Sequence, residues 1–168
     1  MNSERISTIL EHRLHHKMVI VGVGNRECSD DGAGVTLVEK LIPKHNLRPL
    51  VAGDFPEFHI TEVIEEKPDV VMFVDTADLG SAPGSIAMIE IDQLPSAWGN
   101  THQPSLAIIM RYVSDQAKAD TFLLGIQPEN VSHGNTLSTP VETTVQLLSD
   151  FLNRTAENNE QGMSGEKL

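Results

Sequence analysis

Apolar runs and amphipathic stretches take turns along the chain, and their spacing predicts an α/β order. Residues 18–23, MVIVGV, and 69–74, DVVMFV, are almost uninterrupted apolar runs, as expected of parallel strands covered on both faces. Residues 49–53, 84–91 and 121–126 read as three further strands. Between them lie stretches of helical period. Residues 2–16 carry Ile6, Ile9, Leu10 and Leu14 on one face, and the helix after Asp31 carries Val35, Val38, Leu41 and Ile42. A helix over 57–66 closes at Lys67-Pro68, and one from Pro104 presents Leu106, Ile109, Met110 and Val113. A Thr139-Pro140-Val141-Glu142 capping box opens the last helix, whose apolar face is Val141, Val145, Leu148 and Leu152. The link over 80–83 is too short for a helical crossover, so the strand at 84–91 is expected to form a hairpin with its predecessor. From Thr155 the chain is polar and aperiodic, which predicts a disordered tail.

This pattern divides the sequence into a helical extension at 1–16, a core domain at 17–154 and a tail at 155–168. With 168 residues there is room for one full core. Hydrophobic residues make up 39% and aromatic ones only 4%, so Val, Ile and Leu must build that core. The longest apolar runs are strand-sized, so no membrane association is expected. A net charge of −12 lacks the basic face that phosphate binding requires, which excludes nucleic acid as a partner. One cysteine, Cys28, rules out an internal disulfide and fits a reducing cytoplasm. A monomer is expected.

The chemistry concentrates where strands end. After the first strand come Gly22, Gly24 and Asn25, then Glu27, Asp30 and Asp31. After the 69–74 strand comes Asp75, followed by Thr76 and Asp78. Parallel packing would bring Asp31 and Asp75 to one edge, the carboxyl edge where open α/β sheets bind ligands. A dinucleotide fingerprint fails because Glu27 stands at its third glycine, and no P-loop run occurs. A cysteine hydrolase would need Cys28, His102 and an aspartate to assemble, yet the acids around Cys28 are the reverse of the electropositive setting that activates a thiol. Asp31, Asp75 and His102 together are a donor set for a borderline divalent ion such as nickel or zinc, with open positions left for water or substrate. Each also has a structural explanation: Asp30 or Asp31 as a helix cap, Asp75 as a turn cap, His102 as an exposed loop residue. His12 and His16 have metal-pair spacing on a helix but no third donor beside them in sequence.

Four motifs in order resemble the maturation endopeptidases of nickel-iron hydrogenases, closest to the branch serving formate-hydrogenlyase-type enzymes. They are G-V-G-N-x5-D-D-G-A-G (22–34), V-D-T-A-D-L-G with G-S (74–85), T-H-Q-P-S-L (101–106) and L-G-I-Q-P-E (124–129). The resemblance covers about residues 17–153. It implies a three-layer α/β/α sandwich around a mostly parallel, mixed five-stranded sheet with one antiparallel strand. It also implies removal of a C-terminal extension from a hydrogenase large-subunit precursor once nickel is installed. By motif, Asp31, Asp75 and His102 would be the catalytic, metal-contacting residues, with Gly24, Asn25, Asp30 and Asp78 around them. The nickel would be supplied by the precursor, with zinc or cadmium as surrogates. A non-catalytic adaptor that checks the nickel-loaded precursor would use the same ligands. Three features depart from the family pattern: Val51-Ala52-Gly53 where many relatives have Asp-Gly-Gly or Asp-Cys-Gly, Cys28 at a usually aliphatic place, and the N-terminal 16 residues.

Overall fold

A computed structural model describes residues 3–94 and 106–165, with side chains for 5–94 and 106–162. In chain order it runs α1 (Ser3–Arg13), β1 (Met18–Val23), α2 (Ala33–Glu39), β2 (Leu47–Gly53), α3 (Ile60–Glu65) and β3 (Val70–Thr76). There follow β4 (Ile86–Glu90), α4 (Leu106–Ala117), β5 (Asp120–Ile126) and α5 (Thr139–Gly165). Among the described residues the strands form one sheet in the order β2-β1-β3-β5-β4, parallel except for β4 against β5.

Strand side chains alternate between faces, and the core divides accordingly. Met18, Ile20, Met72, Val74, Phe122 and Leu124 meet residues of α1, α2 and α5. Val19, Val21, Val71, Phe73 and Leu123 meet α3 and α4 on the other side. Both faces are therefore covered by helices, which is why β1 and β3 carry no polar alternation. This is the expected three-layer α/β/α sandwich.

Several elements differ from the sequence-based expectation. β4 does not form a hairpin with β3, because β5 lies between them and takes its ladder bonds from both. The short link fixed the reversed direction of β4 but carried no information about a later strand inserting beside it. Ile42, expected on the buried face of α2, lies beyond the end of that helix and is 58% exposed. The last helix begins at Thr139, with Glu142 N–H donating to the Ser138 carbonyl at 2.8 Å, one residue ahead of the expected cap.

Both terminal segments belong to the core. Ile6, Leu10 and Leu14 of the extension are buried in the cluster shared with α5, so the extension is part of the core. The disordered tail expected from Thr155 is helix through Gly165. Ala156 has no accessible surface, and Asn159 Nδ2 donates to the Leu14 carbonyl at 3.0 Å. Glu160 accepts His45 N–H at 3.0 Å and pairs with Lys44 at 3.2 Å. Polar composition hid this face because a small alanine and hydrogen bonds hold it, where larger apolar residues would have shown a period. A chain ended at Arg154 should lose about 2 kcal/mol of stability from the Ala156 and Asn159 contacts, read as a lower urea midpoint. An unchanged midpoint would return the segment to the status of a tail.

Two layers approach closely where the site lies. A Cβ at Gly34, in the first turn of α2, would overlap the carbonyl oxygens of Val23 and Val74. Only glycine lets α2 start directly on the carboxyl ends of β1 and β3. Residues 29–32, a 3-10 turn leading into that helix, are thereby held at the same edge. Among the described residues no helix is long and apolar enough to cross a membrane.

Candidate active site

Two carboxylates from different elements converge on one threonine. Asp31, in the turn before α2, accepts the Thr76 hydroxyl on Oδ1 at 3.1 Å and Asn25 N–H on Oδ2 at 2.9 Å. Asp75, near the end of β3, accepts the Thr76 N–H on Oδ1 at 2.7 Å. Thr76 thus orients both acids, a role the sequence hid because a strand-ending threonine is ordinary. Gly24 forms the wall beside them. Its φ of +120° is open only to glycine, and a Cβ there would overlap the Asp31 carbonyl oxygen and stand 3.6 Å from Asp75 Oδ1. Gly24 N–H donates to the Gly53 carbonyl at 3.0 Å, which ties the ends of β1 and β2 together. Asn25 contributes its backbone to Asp31 and its side chain to its own turn, accepting Glu27 N–H at 2.8 Å.

The charges at this edge oppose one another. Burial, then the charge of Asp31, and in smaller part that of Asp54 push the Asp75 carboxyl up to about 7, against the Thr76 N–H bond. A carboxyl raised in the folded state costs stability as pH climbs from its ordinary value through 7. Asp54, at the end of β2, is itself raised by desolvation of its carboxyl and by Asp31 and Glu27, although the residue as a whole is exposed. Its place just after Gly53, at the end of a parallel strand, was the signal that could have found it. The repulsion among these acids is what a divalent cation relieves, and oxygen donors of this kind suit one.

His102, the expected nitrogen donor, lies outside the described residues. Among those residues no group of three His, Cys, Asp or Glu side chains is placed to hold a metal ion. The structure therefore brings together Asp31, Asp75 and Gly24, with Asn25 behind them.

Asp30 and Asp78 do other things. Asp30 has no accessible surface and caps no helix. Its Oδ2 accepts Glu129 N–H at 2.9 Å, Asn130 N–H at 3.1 Å and the Ser138 hydroxyl at 2.8 Å, and its Oδ1 accepts Ser138 N–H at 2.6 Å. Burial alone would raise its carboxyl, yet these bonds outweigh it and hold the group below the usual range. Asp30 is the clasp that fastens the β5–α5 loop to the acidic loop. Backbone bonds from Ser29 N–H to Gly134 O and from Gly134 N–H to Glu27 O, both 2.8 Å, run alongside it. Asp78 is exposed and closes its own turn by accepting Gly80 N–H at 3.2 Å. Gln127 holds the neighbouring loop, its Oε1 accepting Leu79 N–H at 2.6 Å. Cys28 is half-buried within the loop, its backbone bridged to Gly134.

Comparison with known proteins finds similarity to hydrogenase maturation proteases. The hydrogenase maturation protease family model matches residues 35–154, a span that holds Asp75 and His102 and begins just after Asp31. The hydrogenase 3 maturation protease of Escherichia coli K12 is 34% identical over 136 residues, covering 77% of this chain and 85% of that protein. The crystal structure of a [NiFe] hydrogenase maturation protease HycI from Thermococcus kodakarensis superposes with a TM-score of 0.81 at 25% identity, over 89% of this chain and 99% of that one. The solution structure of an endopeptidase HycI from Escherichia coli gives 0.65 at 30% identity, over 82% and 89%.

Proposed function

Since the chain belongs to the hydrogenase maturation protease family, we propose that it is the endopeptidase that removes the C-terminal extension of a nickel-iron hydrogenase large-subunit precursor after nickel insertion. The reading is carried by one observation, the pair of carboxylates from two elements held on Thr76 beside the bare backbone of Gly24. In this reading the nickel arrives as part of the substrate, bound to cysteines of the precursor. Asp31, Asp75 and His102 complete its coordination and so fix the scissile bond. A divalent ion in that position polarises a carbonyl or lowers the pKa of a bound water, the two services a metal gives to hydrolysis. The chain's own contribution is orientation. Thr76 and Asn25 fix the two carboxylates, and the glycine wall lets a polypeptide approach them closely. Asp30 and Gln127 keep the flanking loops in place.

Mass spectrometry of a nickel-loaded precursor mixed with the protein tests this reading. A shortened C-terminus is expected. A stable complex with an intact C-terminus would instead make the protein a checkpoint adaptor. Cys28→Ala should cleave at the wild-type rate to within about twofold, because removing a small side chain outside the reacting groups changes little. Loss of cleavage in that variant alone would transfer the chemistry to the thiol.

A further inference from the structure

Directly after Asp54, whose charge reaches the carboxylate pair, the chain exposes two aromatic rings. Phe55 and Phe58 are 48% and 78% exposed, and they stack with ring centroids 5.7 Å apart and planes 25° from parallel. In a chain with only 4% aromatic residues, two stacked rings facing solvent carry an unusual apolar load. Their direction follows from the turn at Pro56–His59, where buried Pro56 takes the inward place between them. The turn is fixed to the site from its other end. Gly53 receives the Gly24 N–H bond, and Asp54, whose charge reaches Asp31 and Asp75, directly precedes Phe55. The rings therefore follow, within the same short segment, the strand end that is bonded to Gly24, and the exposed acids Glu27 and Asp54, which couple to each other, make the neighbouring surface negative. A surface of this kind suits an apolar side chain flanked by positive charge.

We propose that Phe55 and Phe58 are the docking platform that receives an apolar segment of the large-subunit precursor beside its nickel centre, and that they set affinity for this partner rather than the rate of bond cleavage. The inference rests on the endopeptidase reading for the identity of the partner. Rigid exposed aromatics of this sort are the usual anchors of protein interfaces.

The test measures cleavage and binding of the nickel-loaded precursor by the wild type, Phe58→Ala, the Phe55→Ala/Phe58→Ala double variant and Phe58→Leu. The double variant should raise KM at least about tenfold with kcat within about twofold, the loss expected on removing an interface anchor. Phe58→Leu, which keeps an apolar contact, should recover most of it. Circular dichroism and the unfolding midpoint should match the wild type, and Phe58→Ala serves if the double variant folds poorly. An unchanged KM overturns the platform, as does a fall in kcat alone. A wild type that dimerises through this face, with dimerisation lost and KM unchanged in the double variant, overturns it in favour of a second copy. If the wild type binds the precursor without shortening it, the endopeptidase reading fails, while a tenfold weaker complex with the double variant still upholds the platform. If the wild type neither binds nor cleaves, both fall.

Discussion

Asp75→Asn, purified as a folded protein, should cleave a nickel-loaded precursor about a thousandfold more slowly than the wild type, on the order of 4 kcal/mol of lost transition-state stabilisation. Asp31→Asn should do the same. On the proposed reading the cause is local, since each carboxylate would supply a charged oxygen to the substrate's metal and the amide that replaces it is neutral. The stability readout should move the other way for Asp75. Its carboxyl is raised to about 7 by burial and by Asp31, so its ionisation opposes folding, and the wild type without substrate loses stability between about pH 4 and pH 7. Asp75→Asn removes that loss, and its unfolding midpoint at pH 7 should be no lower than that of the wild type. A variant that is inactive and also strongly destabilised would mean that Asp75 holds the fold and does not serve the chemistry. Normal cleavage by both variants would remove the carboxylates from the mechanism.

Asp30→Ala should cost about 4 kcal/mol in a urea titration at pH 7. The change strands three part-buried backbone N–H groups and one hydroxyl, each worth roughly 1–3 kcal/mol when unsatisfied, with water recovering part of the total. Its pH dependence has the opposite sign to that of Asp75. The folded pKa lies below the ordinary value of 3.8, so the stabilisation is complete above that value and is lost as pH falls through the lower folded one. The gap between wild type and variant should therefore stay constant from pH 7 to about 5 and close below 4. A gap that widened in acid would contradict the clasp. The clasp also explains why two adjacent acids do such different work. Asp31 is half-exposed and meets Thr76 beside Asp75, while Asp30 is turned inward to the β5–α5 loop.

Much of this was legible in the residues. The buried runs at β1 and β3 declared themselves through uninterrupted Val, Ile and Met, because a strand covered on both faces has no polar alternation to conceal it. Asp31 and Asp75 could be placed at one edge because parallel strands deliver their carboxyl ends together. Thr76, Asp54 and the true role of Asp30 were not legible. A threonine after a strand, an aspartate after a glycine and an aspartate before a helix each have common local explanations. What gives these three their roles lies well along the chain: Asp31 acts on Asp54 from an earlier loop, the Thr76–Asp31 bond spans 45 residues, and the Asp30–Ser138 bond spans 108. Such separations leave no period to read. The terminal segments misled for a related reason, since the N-terminal segment and the end of α5 are weak alone and become core only when packed on the sheet and on each other.

The sequence by itself determined the strands, the helical faces and the glycine-acid punctuation, because these follow from the local spacing of apolar and conformationally free residues. Only the tertiary structure decided which carboxylate pairs with Asp75 at the strand ends and which one fastens a loop, since that depends on the donors a folded chain places around each. It also decided that β5 enters between β3 and β4, a choice made by layer packing among distant segments, and it is what set two phenylalanines outward after Asp54.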